Sequence, residues 1–260
     1  MNITLIGTGF VGAAVLDELL QRGHQVTVLA RHPDKLSPRP GLTVRQGSAQ
    51  NADDVKAAAT GQDAVISAYN PGWSVPDIHD QFLTGTRAIL AGVKASGTRR
   101  LLVIGGAGSL YVAPGVQLVD TPAFPAEWKQ GALAAREALN LIREEAGLEW
   151  TFLSPAILLE PGQRTGQYRV GQDAPLMNGD QPGRISVQDL AVAVVDEINA
   201  RHTNTLFLPD VTLDSGLTAT GELADMARQD AILMVAPAQH VRRVASDLAA
   251  SLKPGTPVVI

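Results

Sequence analysis

Three short stretches of the chain carry residue types that could do chemistry. The first is Gly7-Thr8-Gly9-Phe10-Val11-Gly12, a G-x-G-x-x-G. With a strand before it and a helix after it, its first two glycines permit a tight turn and a close approach of backbone to a pyrophosphate. The third lets the helix pack on the strand, and the helix N-terminus attracts the negative charge. Gly7, Thr8, Gly9, Phe10, Val11 and Gly12 are therefore read as a dinucleotide cradle; the bland alternative is a glycine-rich turn that holds nothing. The second stretch is Ala30-Arg31-His32-Pro33-Asp34-Lys35. A site that prefers NAD places Asp or Glu here to hold the ribose hydroxyls. Arg31 instead offers a planar fork of donors to a 2′-phosphate, which favours NADPH over NADH. The competing reading is a solvated loop arginine, and Asp34, beyond a proline, reads as turn chemistry. The third stretch, Gly105-Gly106-Ala107-Gly108-Ser109-Leu110-Tyr111, follows the apolar run RRLLVI. A strand that empties into small residues and a serine delivers that serine to a site. Ser109 is then a catalytic hydroxyl, a cofactor contact or part of a tight turn, with Gly106 a cofactor contact beside it.

These residues can act together only if one framework brings them to one place. Apolar, β-rich runs lie at 3–6, 25–29, 42–45, 64–67, 101–104 and 150–153, and helical patterns lie between them, among them 11–22, 52–59, 78–96 and 132–146. Strands apolar on both faces and alternating with helices indicate a covered parallel sheet. Right-handed crossovers then make an α/β fold with a doubly wound parallel sheet. Ligands in such folds sit beyond the carboxyl ends of the strands. That rule adds Ser67, Ala68 and Tyr69, after the fourth strand, near the cofactor ribose. It also adds Asn70-Pro71-Gly72-Trp73, a turn whose Trp73 either stacks on a planar ring or plugs the surface.

Composition narrows the function classes. The 260 residues are 45% hydrophobic and 18% charged, enough for a sizeable core. The net charge of −5, with no basic cluster larger than pairs such as Arg99-Arg100 and Arg242-Arg243, argues against nucleic acid as a partner. There is no cysteine, and the five histidines (His24, His32, His79, His202, His240) lack ligand spacing, so no metal is expected. The first strand begins at residue 2 and no apolar run reaches membrane length, so a cytoplasmic protein is expected and a membrane one is not.

The glycine motif, ARHPDKL, QDAVISAYNPG, GGAGSLYVAPG, FPAEWK, WTFLSPA, EPGQRTGQYRVG and RISVQDLAVAVVDEI together resemble the atypical short-chain dehydrogenases. The closest subgroup is the NAD(P)H-binding oxidoreductases related to flavin reductase and biliverdin reductase B, and the likeness covers about residues 1–200. That family usually has G-x-x-G-x-x-G and often Asp after the third strand; this chain has the shorter motif and Gly47-Ser48. Typical short-chain dehydrogenases follow the serine with Tyr-x-x-x-Lys, which moves a proton as hydride transfers. Lys129 stands at a plausible distance after Ser109, but four residues before it is Pro125. Tyr111 is too close to Ser109 to fit the motif, though its hydroxyl could reach the cleft. Ser109, Lys129 and Tyr111 are thus the catalytic candidates without the usual relay. The resemblance also implies that Pro155, in Ser154-Pro155-Ala156, comes close to the nicotinamide. Phe124 and Trp128 would wall a pocket for a small-molecule acceptor.

Reduction of an unactivated ketone needs an acid to protonate the alkoxide. Flavins, quinones and bilin-like acceptors spread the incoming charge and draw the proton from solvent, so positioning suffices. The implied function is an NADPH-dependent reductase of a planar conjugated acceptor. The rival is a regulator that binds NADP and senses redox state without turnover, as some relatives do.

Beyond residue 200, TNTLFLP and LMVAPAQHVRRV resemble an interior piece of the nucleotide domain of NAD-dependent glycerol-3-phosphate dehydrogenase. The expected organisation is a Rossmann-like domain at 1–205 and a βαβ-type extension at 206–260, with strands near 217–220, 231–236 and 257–260 and no phosphate loop of its own. Those strands would extend the far edge of the sheet near the sixth strand or, preferably, pair with a second copy in a homodimer.

Overall fold

A computed structural model describes residues 1–200 and, as backbone, 205–210, 232–233 and 258–259. The chain opens with β1 (Asn2–Ile6), α1 (Phe10–Gln21), β2 (Gln25–Ala30), β3 (Leu42–Gln46), α2 (Ala52–Ala59), β4 (Ala64–Ser67), α3 (Ile78–Ser96) and β5 (Arg100–Ile104). A short hairpin, β6 (Tyr111–Ala113) and β7 (Val116–Gln117), precedes α4 (Ala126–Arg143) and β8 (Glu149–Leu153). The segment β9 (Leu158–Glu160), β10 (Arg169–Gly171), β11 (Met177–Asn178), β12 (Gln181–Pro182) and β13 (Arg184–Ser186) leads into α5 (Val187–Ala200), and β14 (Thr205–Asp210) follows. Local chemistry sets several boundaries. Asn51 Oδ1 accepts from the amides of Asp53 and Asp54 and so caps α2. Gly97, at φ +83°, takes the left-handed position that ends α3.

The main sheet runs β10-β14-β8-β5-β4-β1-β2-β3, parallel except for β10, which is antiparallel to β14. One face packs Ile3, Leu5, Val26 and Val28 against Val15 and Leu19 of α1 and Leu190 and Val194 of α5. The other packs Ile6, Leu29, Val65, Leu101 and Phe152 against Val55, Ile89 and Leu139 of α2, α3 and α4. Helices on both faces make the α/β, doubly wound, Rossmann-like fold. After β1 the chain winds one way to β2 and β3, then returns to place β4 on the other side of β1. In register Ile6 stands beside Ser67, so the two loops leaving β1 and β4 diverge from adjacent points. That divergence is the crevice where doubly wound folds bind ligands.

Two buried polar clusters hold the helices to this frame. At the amino end of the sheet Arg100 pairs with Glu197 at 3.0 Å and with Thr151 Oγ1 at 2.8 Å, all three fully buried. Along α1, the buried Glu18 receives Arg22 at 2.6 Å and Arg164 at 2.7 and 2.8 Å, while Arg22 also reaches Asp196. Asp189 of α5 accepts from Thr165 N, Thr165 Oγ1 and Gly166 N, and Tyr168 donates to Asp196 at 2.7 Å. The stretch EPGQRTGQYRVG is thereby strapped across α1 and α5, which is a structural use for a motif without chemistry of its own.

The expected helix 132–146 begins six residues earlier, at Ala126, because Pro125 in an extended conformation serves as its N-cap. Trp128 and Lys129 therefore sit in its first turn. The hydrophobic pattern marks no strand over residues 205–210. Thr205–Phe207 pair with β8, and Leu208–Asp210 with β10, so this segment takes the sheet position beyond the sixth expected strand. Two compact units result, Met1–Val211 and Thr212–Ile260. Within the second, β15 (Ile232–Leu233) and β16 (Val258–Val259) pair in parallel, inside the expected strands 231–236 and 257–260. The expected strand 217–220 lies outside the described residues. Among the described residues no helix is long and apolar enough to cross a membrane.

Candidate active site

The glycine cradle is locked by contacts that admit no side chain. Gly7 has φ +92°, and a Cβ there would lie 2.5 Å from the Ala68 carbonyl oxygen. A Cβ on Gly12 would lie 1.9 Å from the Gly7 carbonyl oxygen. Loop, helix α1 and the end of β4 are therefore in backbone contact, which is how Ala68 enters the site. Gly9 differs: a Cβ there meets nothing within 4 Å. It is the N-cap of α1 with no side-chain hydrogen bond, so the amides of Phe10, Val11 and Gly12 have no side-chain cap and face an open approach. Thr8 is half-buried and Phe10 exposed on the same loop. An open face over a helix N-terminus fits the diphosphate of a dinucleotide.

The neighbouring strand ends divide their labour. Ser67 is buried, and its Oγ accepts from Tyr69 N at 3.4 Å. The Tyr69 hydroxyl donates to Gln81 O at 2.9 Å and accepts from Gln50 Nε2 at 3.0 Å. Its ring lies over Gly85, where a Cβ would come within 2.2 Å, and burial pushes the phenol up. Ser67 and Tyr69 thus brace the site against α3, and the backbone at Ala68 faces the glycine loop. Arg31 is exposed, follows directly on the carboxyl end of β2 and makes no ion pair among the described residues.

Ser109 is 4% exposed, and its Oγ donates to the Gly106 carbonyl at 3.3 Å. Gln117 Nε2 donates to the Ser109 carbonyl at 2.8 Å, and Arg136 bridges Gln117 Oε1 at 3.1 Å and Asp120 at 2.7 Å. Of the roles open to Ser109, these contacts fill the turn-holding one. Gln117 and Arg136 support that turn and carried no sequence signal, since polar residues 8 and 19 positions apart follow no period. Gly106 is open above its Cα, whereas a Cβ on Gly105 would enter the Phe152 ring at 2.0 Å. Lys129 is half-buried and makes no ion pair among the described residues. Tyr111 is 40% exposed in the β6–β7 hairpin, and its amide donates to Asp173 O at 2.7 Å. After β8, Pro155 is buried, and the buried Ser154 Oγ has no hydrogen-bond partner among the described residues.

The apolar surface concentrates at the same end. The exposed large hydrophobic residues are Phe10, Trp73, Tyr111, Val112, Val116, Trp128 and Met177 among the described residues. Every one lies in a segment that leaves the carboxyl end of β1, β4, β5 or β8. Trp73, 57% exposed, rests its six-membered ring on α4 at Gly131, where a Cβ would lie 2.6 Å from Cζ3. Trp128, 50% exposed, is one turn earlier on that helix. Phe124, half-buried, lies against Gly108. A small cavity lined by Tyr69, Phe82, Thr86 and Val103 holds about 10 Å³, room for about one water, and belongs to the core under α3 rather than to this cleft.

Comparison with known proteins agrees with this geometry. Residues 7–200 match the NAD(P)H-binding family model, and residues 178–260 match the N-terminal part of NAD-dependent glycerol-3-phosphate dehydrogenase. A Bacillus subtilis protein, the uncharacterized YwnB, is 35% identical over 213 residues, covering 80% of this chain and 97% of its own. Among solved structures, a Bacteroides thetaiotaomicron protein provisionally called an epimerase is 39% identical, with a TM-score of 0.76 over 82% of this chain and 97% of its own. A Streptococcus pneumoniae protein provisionally called an NADH-flavin reductase is 32% identical, with a TM-score of 0.71 over 82% and 100%. For the tail, the glycerol-3-phosphate dehydrogenase of Paramagnetospirillum magneticum is 54% identical over 67 residues. That stretch is 26% of this chain and only 24% of the dehydrogenase. The glycine cradle, the doubly wound sheet and the match over residues 7–200 place the chain in the NAD(P)H-binding family of Rossmann-like oxidoreductases.

Proposed function

We propose that this protein is an NADPH-dependent reductase that passes hydride to a planar conjugated acceptor, a flavin or a quinone. The observation that carries the reading is a cleft end rich in exposed aromatic surface and without the Tyr-x-x-x-Lys relay. Trp73 and Trp128 stand exposed there, while Pro125 occupies the relay position and the Ser109 hydroxyl is turned onto Gly106. The reduced nicotinamide, when bound, supplies the hydride. The protein's part is then positional: the glycine loop and the α1 amides hold the diphosphate, Arg31 selects the 2′-phosphate, and the glycines at 105 and 106 keep the β5 end low. Trp73, Trp128 and Phe124 hold the acceptor face-on and exclude water from one side of it, and its proton comes from solvent. Lys129, in the first turn of α4, favours the anion formed on reduction. An epimerase, the description given to the Bacteroides relative, would need an acid–base pair at the reacting carbon. Pro125 and the buried Ser109 speak against one.

The second reading, a regulator that binds NADP without turnover, draws on the same shortage of acid–base groups. Stopped-flow oxidation of NADPH over a panel of flavins and quinones separates the two, with nucleotide titration in parallel. Turnover with at least one planar acceptor is the expected result. Tight NADPH binding with no acceptor turned over supports the regulator.

A further inference from the structure

We propose that Arg45, at the end of β3, completes a two-arginine clamp with Arg31 for the ribose 2′-phosphate. The inference rests on the NADPH reading above and adds a specificity residue that the glycine motif and the end of β2 do not contain. β2 and β3 pair in parallel with Leu29 beside Arg45 and Ala30 beside Gln46. The ladder runs on past these strands, since Gly47 N donates to Ala30 O at 3.0 Å. Arg31 thus leaves the sheet still alongside β3. The pleat puts Arg45 on the same face as Leu29, which packs with Val55 of α2, while Leu42 and Val44 pack on the opposite face. Arg31, two residues beyond Leu29, continues that face as the chain leaves β2. The two arginines therefore take diagonal positions on one face of the β2–β3 pair, within reach of each other's long side chains.

Neither arginine has a carboxylate partner among the described residues. Both are exposed, and no ion pair or hydrogen bond involves either side chain among the described residues. Of the acids nearby, Asp54 accepts from the Ser48 amide at 2.9 Å, and neither it nor Asp34, beyond Pro33, forms an ion pair with an arginine among the described residues. Two like charges side by side repel, and among the described residues no ion pair neutralises either guanidinium. A dianionic phosphomonoester does, and the planar forks of two arginines can grip its three terminal oxygens together.

The test is calorimetric titration of the full chain with adenosine 2′,5′-bisphosphate and with 5′-AMP, alongside NADPH and NADH. The ligands of each pair differ only in the 2′-phosphate. Wild type is expected to prefer the 2′-phosphorylated member of each pair. Arg45→Ala should weaken that member roughly tenfold to a hundredfold, the scale of a charge-assisted contact, and leave 5′-AMP and NADH within twofold. Thermal melts check the fold, which an exposed strand-end residue should not disturb. If Arg31→Ala abolishes the preference and Arg45→Ala leaves it intact, the clamp is wrong and the NADPH reading stands. If wild type binds both members of each pair equally, the NADPH reading itself fails and the clamp falls with it.

Discussion

Gly131→Ala tests the acceptor wall without touching the nucleotide cradle. Gly131 lies inside α4, where Ala in place of Gly stabilises a helix by about 1 kcal/mol. Against that gain, the new Cβ would lie 2.6 Å from Cζ3 of Trp73 and 3.0 Å from Cδ1 of Ile78. Overpacking typically costs about 1–3 kcal/mol, but the Trp73 ring is 57% exposed and can swing into solvent. The two terms nearly cancel, so the melting free energy should stay within about 1 kcal/mol of wild type. The ring, however, no longer rests on α4. An aromatic stacking contact is worth about 0.5–1.5 kcal/mol, so KM for flavin should rise roughly two- to twelvefold. NADPH affinity should be unchanged, since no part of the glycine loop contacts Gly131. The assay pairs thermal melts and tryptophan emission with acceptor KM and NADPH titration, and Trp73→Ala serves as the reference for complete loss. A shifted emission spectrum with an unaltered acceptor KM would refute the wall.

The remaining substitutions probe the cradle, the serine and the α1 strap. Gly9→Ala should fold as well as wild type, because its Cβ meets nothing, yet bind NADPH at least tenfold more weakly by crowding the phosphate approach; Gly12→Ala should instead lose more than about 2 kcal/mol of stability, with its Cβ 1.9 Å from a carbonyl oxygen. Calorimetry and melts on both variants decide this. Ser109→Ala removes one 3.3 Å hydrogen bond and should cost about 1 kcal/mol of stability and tenfold or less in turnover; a thousandfold loss at unchanged NADPH affinity would make the serine a proton donor after all. The strap also predicts acid lability. Burial, with the positive N-terminus and Arg22, holds His24 below its usual 6.5, and the Arg164 hydrogen bond, with help from Arg22, holds Glu18 below 4.5. Both groups have depressed folded-state values, so both contribute stability at neutral pH that is lost as pH falls, His24 from about 6.5 downward and Glu18 from about 4.5. Glu18→Gln should cost about 2 kcal/mol at pH 7 and remove the lower of the two steps in a pH series of chemical denaturation curves.

The sheet was legible in the sequence because its strands are apolar on both faces, which only a doubly covered parallel sheet requires. The glycine cradle was legible because the geometry that admits Gly12 and nothing larger depends on backbone atoms a few residues away. The side chains were less so. Tyr69 looked like a ribose neighbour from its place after β4, but its hydroxyl goes to Gln50 and Gln81, partners 19 and 12 positions away that no local pattern marks. Ser109 has a sequence position shared by catalytic and turn serines, and its contacts to Gly106 and to Gln117, itself held by Arg136, form only in three dimensions. Trp73 and Trp128 were legible as aromatics in the right loops. That a glycine on α4 seats the Trp73 ring was not.

The edge strand carries the last prediction. β8 is the outermost of the six strands foreseen from the pattern, and without a neighbour it would present a row of unpaired amides and carbonyls. Residues 205–210 fill that place, although they lie inside the stretch that matches the glycerol-3-phosphate dehydrogenases. A sheet edge recognises a strand through backbone hydrogen bonds and an apolar alternation, not through ancestry, so TLFLPD can serve. Pro209 lacks an amide and would interrupt a central ladder, but it stands in the half of β14 paired only with the three-residue β10. A chain ending at residue 211 should therefore keep the sheet intact and bind NADPH as the full chain does. A chain ending at residue 203 should lose β14, strip β10 of its partner and expose the edge of β8. At about 0.5–1.5 kcal/mol for each ladder bond, the loss should exceed about 3 kcal/mol and bring self-association through the bare edge. Paired melts and light scattering on the two truncations test this. Equal stability of the two would show that β14 is not needed to complete the sheet, and loss of NADPH binding in the longer one would show that residues 212–260 take part in the nucleotide site.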